Sequence, residues 1–213
     1  MDAYESDRKE MTRRQIAARG LRDPRLLAAF ESVPRHLFVP EEYRQRSYAD
    51  GPLPIGYGQT ISQPYIVALM THLLELTGRE RVLEVGTGSG YQAAILSRLA
   101  AEVHTVEIVP ELFAQAERTL SELGCANVHS HLADGSLGWT AAAPYDGILV
   151  AAAAPSAPRA LLDQLAEGGR LVLPVGDRVY QELEIWKKVE GKFERRSSLG
   201  VAFVPLRGEY GWK

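Results

Sequence analysis

An apolar run, Val82-Leu83-Glu84-Val85, enters Gly86-Thr87-Gly88-Ser89-Gly90 and continues into a helical pattern from Tyr91. Glycines at that spacing let a strand turn sharply into a helix and let a ligand approach the main chain at the carboxyl end of a sheet. The spacing is Gly-x-Gly-x-Gly, unlike the Gly-x-Gly-x-x-Gly of dinucleotide sites, and no Gly-Lys-Ser/Thr follows as in a phosphate-binding loop. The expected ligand is therefore neither NAD nor ATP; a tight turn holding no ligand is the plain alternative. Glu107 ends the next apolar run, about 20 residues beyond Gly86, where a carboxylate can accept hydrogen bonds from both ribose hydroxyls of a nucleoside. Asp134-Gly135 closes a third run in the same position, either meeting an adenine amino group or simply making an Asp-Gly turn. Glu84 lies within the first strand, where an ionised carboxylate must find partners, and is a candidate functional acid.

A second chemical candidate is the hydroxyl of Ser62, within Leu53-Pro54-Ile55-Gly56-Tyr57-Gly58-Gln59-Thr60-Ile61-Ser62-Gln63-Pro64-Tyr65. Ser62 could act on a substrate, cap the helix that starts near Pro64, or do both. His36, His72, His104, His129 and His131 show no ligand spacing with carboxylates or cysteine, although His129 and His131 share one strand face, so no metal site is expected. Trp139 and Trp186 read as packing residues.

The elements that must position these groups alternate strictly. Strands are expected at Arg81–Val85, Glu102–Glu107, Val128–Leu132, Gly147–Ala151 and Arg170–Pro174. Helices are expected at Tyr65–Leu76, Tyr91–Ala100, Pro110–Leu123 and Ser156–Glu167. Gly124 and Gly168-Gly169 serve as helix stops. Strict alternation implies a parallel sheet covered on both faces. Residues 8–32 read as two short helices, the second opened by Asp23-Pro24. In residues 33–64, Pro34, Pro40, Pro52, Pro54 and Pro64 alternate with Gly51, Gly56 and Gly58, which predicts an irregular, functional loop. The tail reads as antiparallel strands, Tyr180–Trp186 and Leu199–Val204, with a turn near Glu190-Gly191-Lys192.

The 213 residues suit one α/β domain. With 24 Lys plus Arg against 27 Asp plus Glu and a net charge of -3, no basic field faces nucleic acid or an anionic membrane. The acidic start, Met1-Asp2-Ala3-Tyr4-Glu5, lacks the apolar segment of a signal peptide, and no apolar run reaches the length of a membrane span. Cys125 is the single cysteine, which excludes an internal disulfide and a cysteine-rich zinc site. A cytoplasmic monomer is expected.

The glycine turn, Glu107 and Asp134, at the ends of three successive strands, resemble the cofactor site of S-adenosylmethionine-dependent, Rossmann-like methyltransferases. The Gly58-to-Pro64 stretch resembles the protein-L-isoaspartate O-methyltransferase family more specifically. That likeness extends through Val33-Pro34-Arg35, Phe38-Val39-Pro40, Gly169 to Gly176 and Phe203-Val204-Pro205-Leu206. It implies a doubly wound, mostly parallel sheet with an N-terminal helical cap and C-terminal antiparallel strands, in one domain over 1–213. Within it, 1–64 would hold the cap and active-site loop, 65–176 the cofactor core and 177–213 the appended strands. It implies Ser62 as the catalytic hydroxyl, and S-adenosyl-L-methionine held by Gln59, Thr60, Ile61, Glu84, Gly86, Thr87, Gly88, Ser89, Gly90, Glu107, Ile108, Ala133, Asp134 and Gly135. The implied substrate is the free α-carboxylate of L-isoaspartyl residues in proteins and peptides. Tyr65 stands where other members place His, and Ala133 where many place Gly. Two alternatives stand beside this reading: a methyltransferase of other substrates on the same fold, and a nucleoside-binding module without catalysis.

Overall fold

A computed structural model describes residues 3–212; Met1 and Asp2, on which part of the N-terminal reading rests, lie outside the described residues. In chain order the elements are α1 (Glu5–Met11), α2 (Pro24–Ser32), β1 (Leu53–Gly56), β2 (Gln59–Ile61), α3 (Pro64–Leu73), β3 (Arg81–Val85), α4 (Tyr91–Leu96) and β4 (Glu102–Glu107). They continue as α5 (Pro110–Glu122), β5 (Val128–Leu132), β6 (Tyr145–Val150), α6 (Arg159–Asp163), β7 (Leu165–Gly176), β8 (Gln181–Val189) and β9 (Lys192–Val201). Seven strands form one sheet in the order β5-β4-β3-β6-β7-β8-β9. The pairs from β5 to β7 are parallel, and β8 and β9 are added antiparallel. The order reverses beside β3, so the carboxyl ends of β3, β4 and β6 open a crevice between crossover connections running to opposite sides.

The central strands are apolar on both faces because both are covered: Val82, Leu83, Ile148, Leu149, Leu171 and Val172 are all fully buried. No helix among the described residues is long and apolar enough to cross a membrane. The second helix of the N-terminal cap begins as expected, with the Asp23 carboxylate accepting the Arg25 N–H at 2.8 Å and Pro24 in the first helical turn, while the first begins earlier than expected, at Glu5. Before it, α1 runs on into a π-turn (Thr12–Ile16) and a 3-10 turn (Ala17–Arg19).

Several elements differ from the sequence expectation. The helix expected over Ser156–Glu167 shrinks to α6, because the Gln164 side chain turns inward to the Trp139 N–H and the Leu137 carbonyl, and Leu165 pairs with Tyr145. Gly168-Gly169 is consequently no helix stop; it lies in a bulge of β7, with Gly168 at φ +78°. A Cβ on Gly169 would lie 2.9 Å from the Tyr145 carbonyl oxygen. Helices α3 and α4 end earlier than expected, and β9 begins earlier, at Lys192. The irregular segment 33–64 contains a hairpin the sequence did not announce. Its β1 and β2 join through Tyr57 (φ +53°) and Gly58 (φ +71°), both left-handed, in the two-residue turn that suits strand twist.

The histidines also gather more closely than their spacing indicates. His104 on β4 and His129 on β5 are register partners. His104 Nε2 lies 3.1 Å from Glu102 Oε1, and its Nδ1 lies 3.0 Å from His131 Nε2. The His131 ring stacks on Trp139 at 4.0 Å. Among the described residues no group of three or more such side chains could hold a metal ion. Burial, then the neighbouring imidazoles, push His131 down to about 4, and burial lowers His104 as well.

In the unfolded chain these histidines take up protons near 6.5 and in the fold only at lower pH, so acidification favours unfolding. Urea denaturation followed from neutral pH downward should show stability falling between pH 6.5 and about 4. His131→Asn should flatten that dependence; an unchanged slope would show that the cluster is not its source.

Candidate active site and cofactor pocket

Strand β3 leaves the sheet through Gly86 (φ +91°), Gly88 (φ +53°) and Gly90 (φ +88°), conformations that side chains rarely adopt. The turn is fastened to β4, since the Gly86 and Thr87 N–H groups donate to the Val106 carbonyl at 2.9 and 3.3 Å. In this geometry the Gly88 N–H donates to Glu107 Oε2 at 2.8 Å, while the Ile108 and Val109 N–H groups donate to Oε1 at 2.8 and 2.9 Å. Three backbone donors thus hold a carboxylate that is only 5% exposed.

Glu84, one strand over, is completely buried. Its Oε2 accepts the Thr105 hydroxyl at 2.6 Å, and the Thr87 and Thr105 hydroxyls are 2.6 Å apart. Because Thr105 donates its proton to Glu84, Thr87 must donate to Thr105. Among the described residues Glu84 Oε1 is buried with no hydrogen-bond partner. Burial pushes this carboxyl up to about 8, with the Thr105 hydrogen bond opposing and the Glu107 charge reinforcing the shift. A buried oxygen left without a donor at the wall of a cavity marks a place where a donating or cationic ligand group fits.

That cavity, about 90 Å³, is walled by the glycine turn, both glutamates, Ile108, Gly135, the loop Gln59 to Ser62 and the segment Phe203 to Arg207. Of the expected cofactor residues, Gln59, Thr60, Ile61, Glu84, Gly86, Thr87, Gly88, Ser89, Glu107, Ile108 and Gly135 line it. Gly90, Ala133 and Asp134 do not. Gly90 caps α4 and faces Ala116 and Leu120 of α5. The Asp134 carboxylate is turned away from the cavity to the chain itself: Oδ1 accepts the Ser136 N–H and hydroxyl at 2.9 and 2.7 Å, and Oδ2 accepts the Glu209 N–H at 2.8 Å. It therefore latches the C-terminal segment across the crevice. The chain there is also tied by the Leu206 N–H to the Ala153 carbonyl at 2.8 Å and by the Trp212 indole N–H to the same oxygen at 3.0 Å. Phe203 to Arg207, and Tyr91 and Gln92 on α4, line the cavity although the sequence reading did not count them among the cofactor residues. The apolar Phe203-Val204-Pro205-Leu206 run was visible, but nothing local says that it folds back over the sheet end.

Ser62 lies half-buried where this cavity meets a wider groove of about 550 Å³, lined by Pro52, Gln63, Tyr65, Tyr180, Leu199 and Val201 among others. The helix-cap reading of Ser62 does not hold. The N-cap of α3 is Gln63, with no side-chain cap, because Gln63 reaches Asp50 Oδ1 at 2.7 Å. Among the described residues the Ser62 hydroxyl makes no hydrogen bond, while its carbonyl accepts one from Arg35 at 2.8 Å. Tyr65 packs beneath the Arg19 guanidinium, 5.0 Å from its ring centroid.

The profile of the family described as protein-L-isoaspartate(D-aspartate) O-methyltransferase matches residues 6–211. The chain belongs to this family. Relatives named protein-L-isoaspartate O-methyltransferase include one from Methanoregula boonei, 54% identical over 97% of this chain and 95% of its own. Another, from Marinobacter nauticus and named protein-L-isoaspartate O-methyltransferase 2, is 56% identical over 96% of this chain and 94% of its own. Among solved structures, a protein-L-isoaspartate O-methyltransferase 29% identical superposes with a TM-score of 0.88 over 95% of this chain and 67% of its own. A Plasmodium falciparum structure in complex with S-adenosyl-L-homocysteine shares the fold, with 24% identity and a TM-score of 0.83 over 94% of this chain and 98% of its own.

The Asp134 latch has a measurable consequence. Asp134→Ala should free the segment 207–212, raising hydrogen exchange at the Glu209 and Tyr210 amides and costing about 1–2 kcal/mol in urea unfolding. Unchanged exchange at those amides would show that other contacts hold the tail.

Proposed function

We propose that this protein transfers a methyl group from S-adenosyl-L-methionine to the free α-carboxylate of L-isoaspartyl residues in damaged proteins and peptides, giving a methyl ester and S-adenosyl-L-homocysteine. Membership of the family supports the reaction. The observation that carries the assignment of the site is the Ser62 hydroxyl, without a hydrogen-bond partner among the described residues and standing where the cavity and the wider groove meet.

When bound, the cofactor supplies an electrophilic methyl group on a sulfonium. Glu107 and the glycine turn would hold its ribose, and Glu84 its donor groups, with Gln59, Thr60 and Ile61 closing over it. An α-carboxylate ordinarily titrates at about 3.5 and is already ionised at neutral pH, so the nucleophile needs no general base, and the absence of a catalytic His or Lys from the proposed machinery follows. What the protein must provide is alignment: Ser62 donates its O–H to one carboxylate oxygen and leaves the other free to attack. Charge is neutralised along this reaction, so walls that exclude water favour it. The apolar Ile61, Phe203 and Val204 serve that purpose.

The groove beside Ser62 runs along the last residues of β9, the edge strand, where an extended peptide can lie. The same reading takes the enzyme to act as a cytoplasmic monomer, without nucleic acid or membrane, in keeping with its mild negative charge.

Labelled methyl transfer to matched peptides tests this. L-Isoaspartyl peptide should be methylated and the L-aspartyl peptide should not; equal turnover of both would make the protein a general carboxyl methyltransferase. Ser62→Ala should lower kcat about ten- to hundred-fold, the equivalent of one charge-assisted hydrogen bond. Its urea stability should stay within about 0.5 kcal/mol of the parent, since Ser62 caps nothing.

A further inference from the structure

One residue of the Val33-Pro34-Arg35 stretch has no part in the chemistry above, yet its surroundings are unusual. Arg35 opens a 3-10 turn (Arg35–Phe38) and is fully buried. Its Nε–H donates to the Ser47 carbonyl at 2.7 Å, its Nη2–H donates to the Ser62 carbonyl at 2.8 Å, and the guanidinium lies over the Tyr91 ring at 4.9 Å. Among the described residues Nη1 is buried without a hydrogen-bond partner, and no carboxylate pairs with the group. Burial lowers it only to about 10, so it stays charged at neutral pH.

A cation taken out of water without a counter-ion is expensive, and a site needing only to be filled would be better served by an apolar side chain. What a guanidinium adds is a rigid planar fork that donates in fixed directions. Here the fork joins three segments distant in sequence: the loop at Ser47, the peptide at Ser62, and Tyr91, the first residue of α4 after the glycine turn. Fixing the Ser62 carbonyl oxygen fixes the plane of the Ser62–Gln63 peptide. The Cα of Ser62, from which its side chain springs, is then held in place relative to the cavity that Tyr91 also lines.

We propose that Arg35 is a positioning residue for methyl transfer, acting through the Ser62 backbone to aim the Ser62 hydroxyl. The proposal rests on the reading of Ser62 as the group that orients the substrate carboxylate. A lysine keeps the charge but cannot donate in two fixed directions, so it should loosen Ser62 without emptying the site.

The test is a double-mutant cycle of Arg35→Lys and Ser62→Ala, with kcat and KM for an isoaspartyl peptide, calorimetric affinity for S-adenosyl-L-homocysteine, and hydrogen exchange of the free protein. Arg35→Lys should lower kcat about ten-fold and speed exchange in residues 59–67. Affinity for S-adenosyl-L-homocysteine should remain within about two-fold, and in the Ser62→Ala background the same change should cost nothing further. Penalties that multiply, with Ser62→Ala itself impaired, would overturn the role of Arg35 alone. Full kcat in Ser62→Ala would overturn the role of Ser62 and that of Arg35 with it, and a parent protein inactive on the isoaspartyl peptide would overturn the function. If Arg35→Lys and Arg35→Gln both fail to fold even with S-adenosyl-L-homocysteine present, Arg35 is a structural residue and the proposal falls.

Discussion

Two carboxyl groups buried side by side at the ends of adjacent parallel strands impose the strictest demand in this fold. Glu107 is satisfied by three backbone N–H groups, and one of them, from Gly88, reaches it because the chain turns through left-handed glycines. Among the described residues Glu84 has the Thr105 hydroxyl and no other partner, leaving one oxygen unpaired at the cavity wall. An arrangement of this kind is costly unless something else supplies the missing donor. The glycine turn, the pairing of β3 with β4 and the threonine relay are thus parts of one device for holding acid groups where water is scarce.

Around that device the remainder of the chain acts as walls. The C-terminal segment is drawn across the crevice by Asp134, whose carboxylate serves the main chain of Ser136 and Glu209. From the other side the 33–64 region delivers Gln59 to Ser62 on a hairpin anchored from below by Arg35. Neither wall belongs to the parallel sheet, and Ser62 sits where they meet.

Much of the sheet was legible because buried parallel strands leave short apolar runs: β3, β4 and β5 have the boundaries read from the sequence. The glycine turn and Glu107 were legible for a related reason, since special backbone geometry and a strand-end acid are written in residue type. Other features were hidden where a distant partner decided them. Asp134 followed by glycine looks the same whether it meets a ligand or ties down residue 209, and only the tertiary path of the tail distinguishes the two. The end of α6 was set by Gln164 reaching Trp139, 25 residues away, and the β1–β2 hairpin turns at Tyr57-Gly58, without the Asn-Gly or Asp-Gly pair that usually signals such a turn. Ser62 entered as a site candidate through family likeness, whereas the local rule that made it a helix cap failed because Gln63 took that place.

The central claim is that Glu84 completes its hydrogen bonding only when the cofactor fills the cavity, and proton linkage tests it most directly. Burial holds this carboxyl near 8, so in the free protein it is mostly protonated at neutral pH; a cationic ammonium group beside it favours the ionised form, and binding should release a proton. Calorimetric titration of S-adenosyl-L-homocysteine near pH 7, in buffers of different ionisation enthalpy, should give heats that differ with the buffer and affinity that rises with pH toward 8. The dependence should vanish in Glu84→Gln. Heats independent of buffer in the parent protein, or a dependence that survives in Glu84→Gln, would contradict the account.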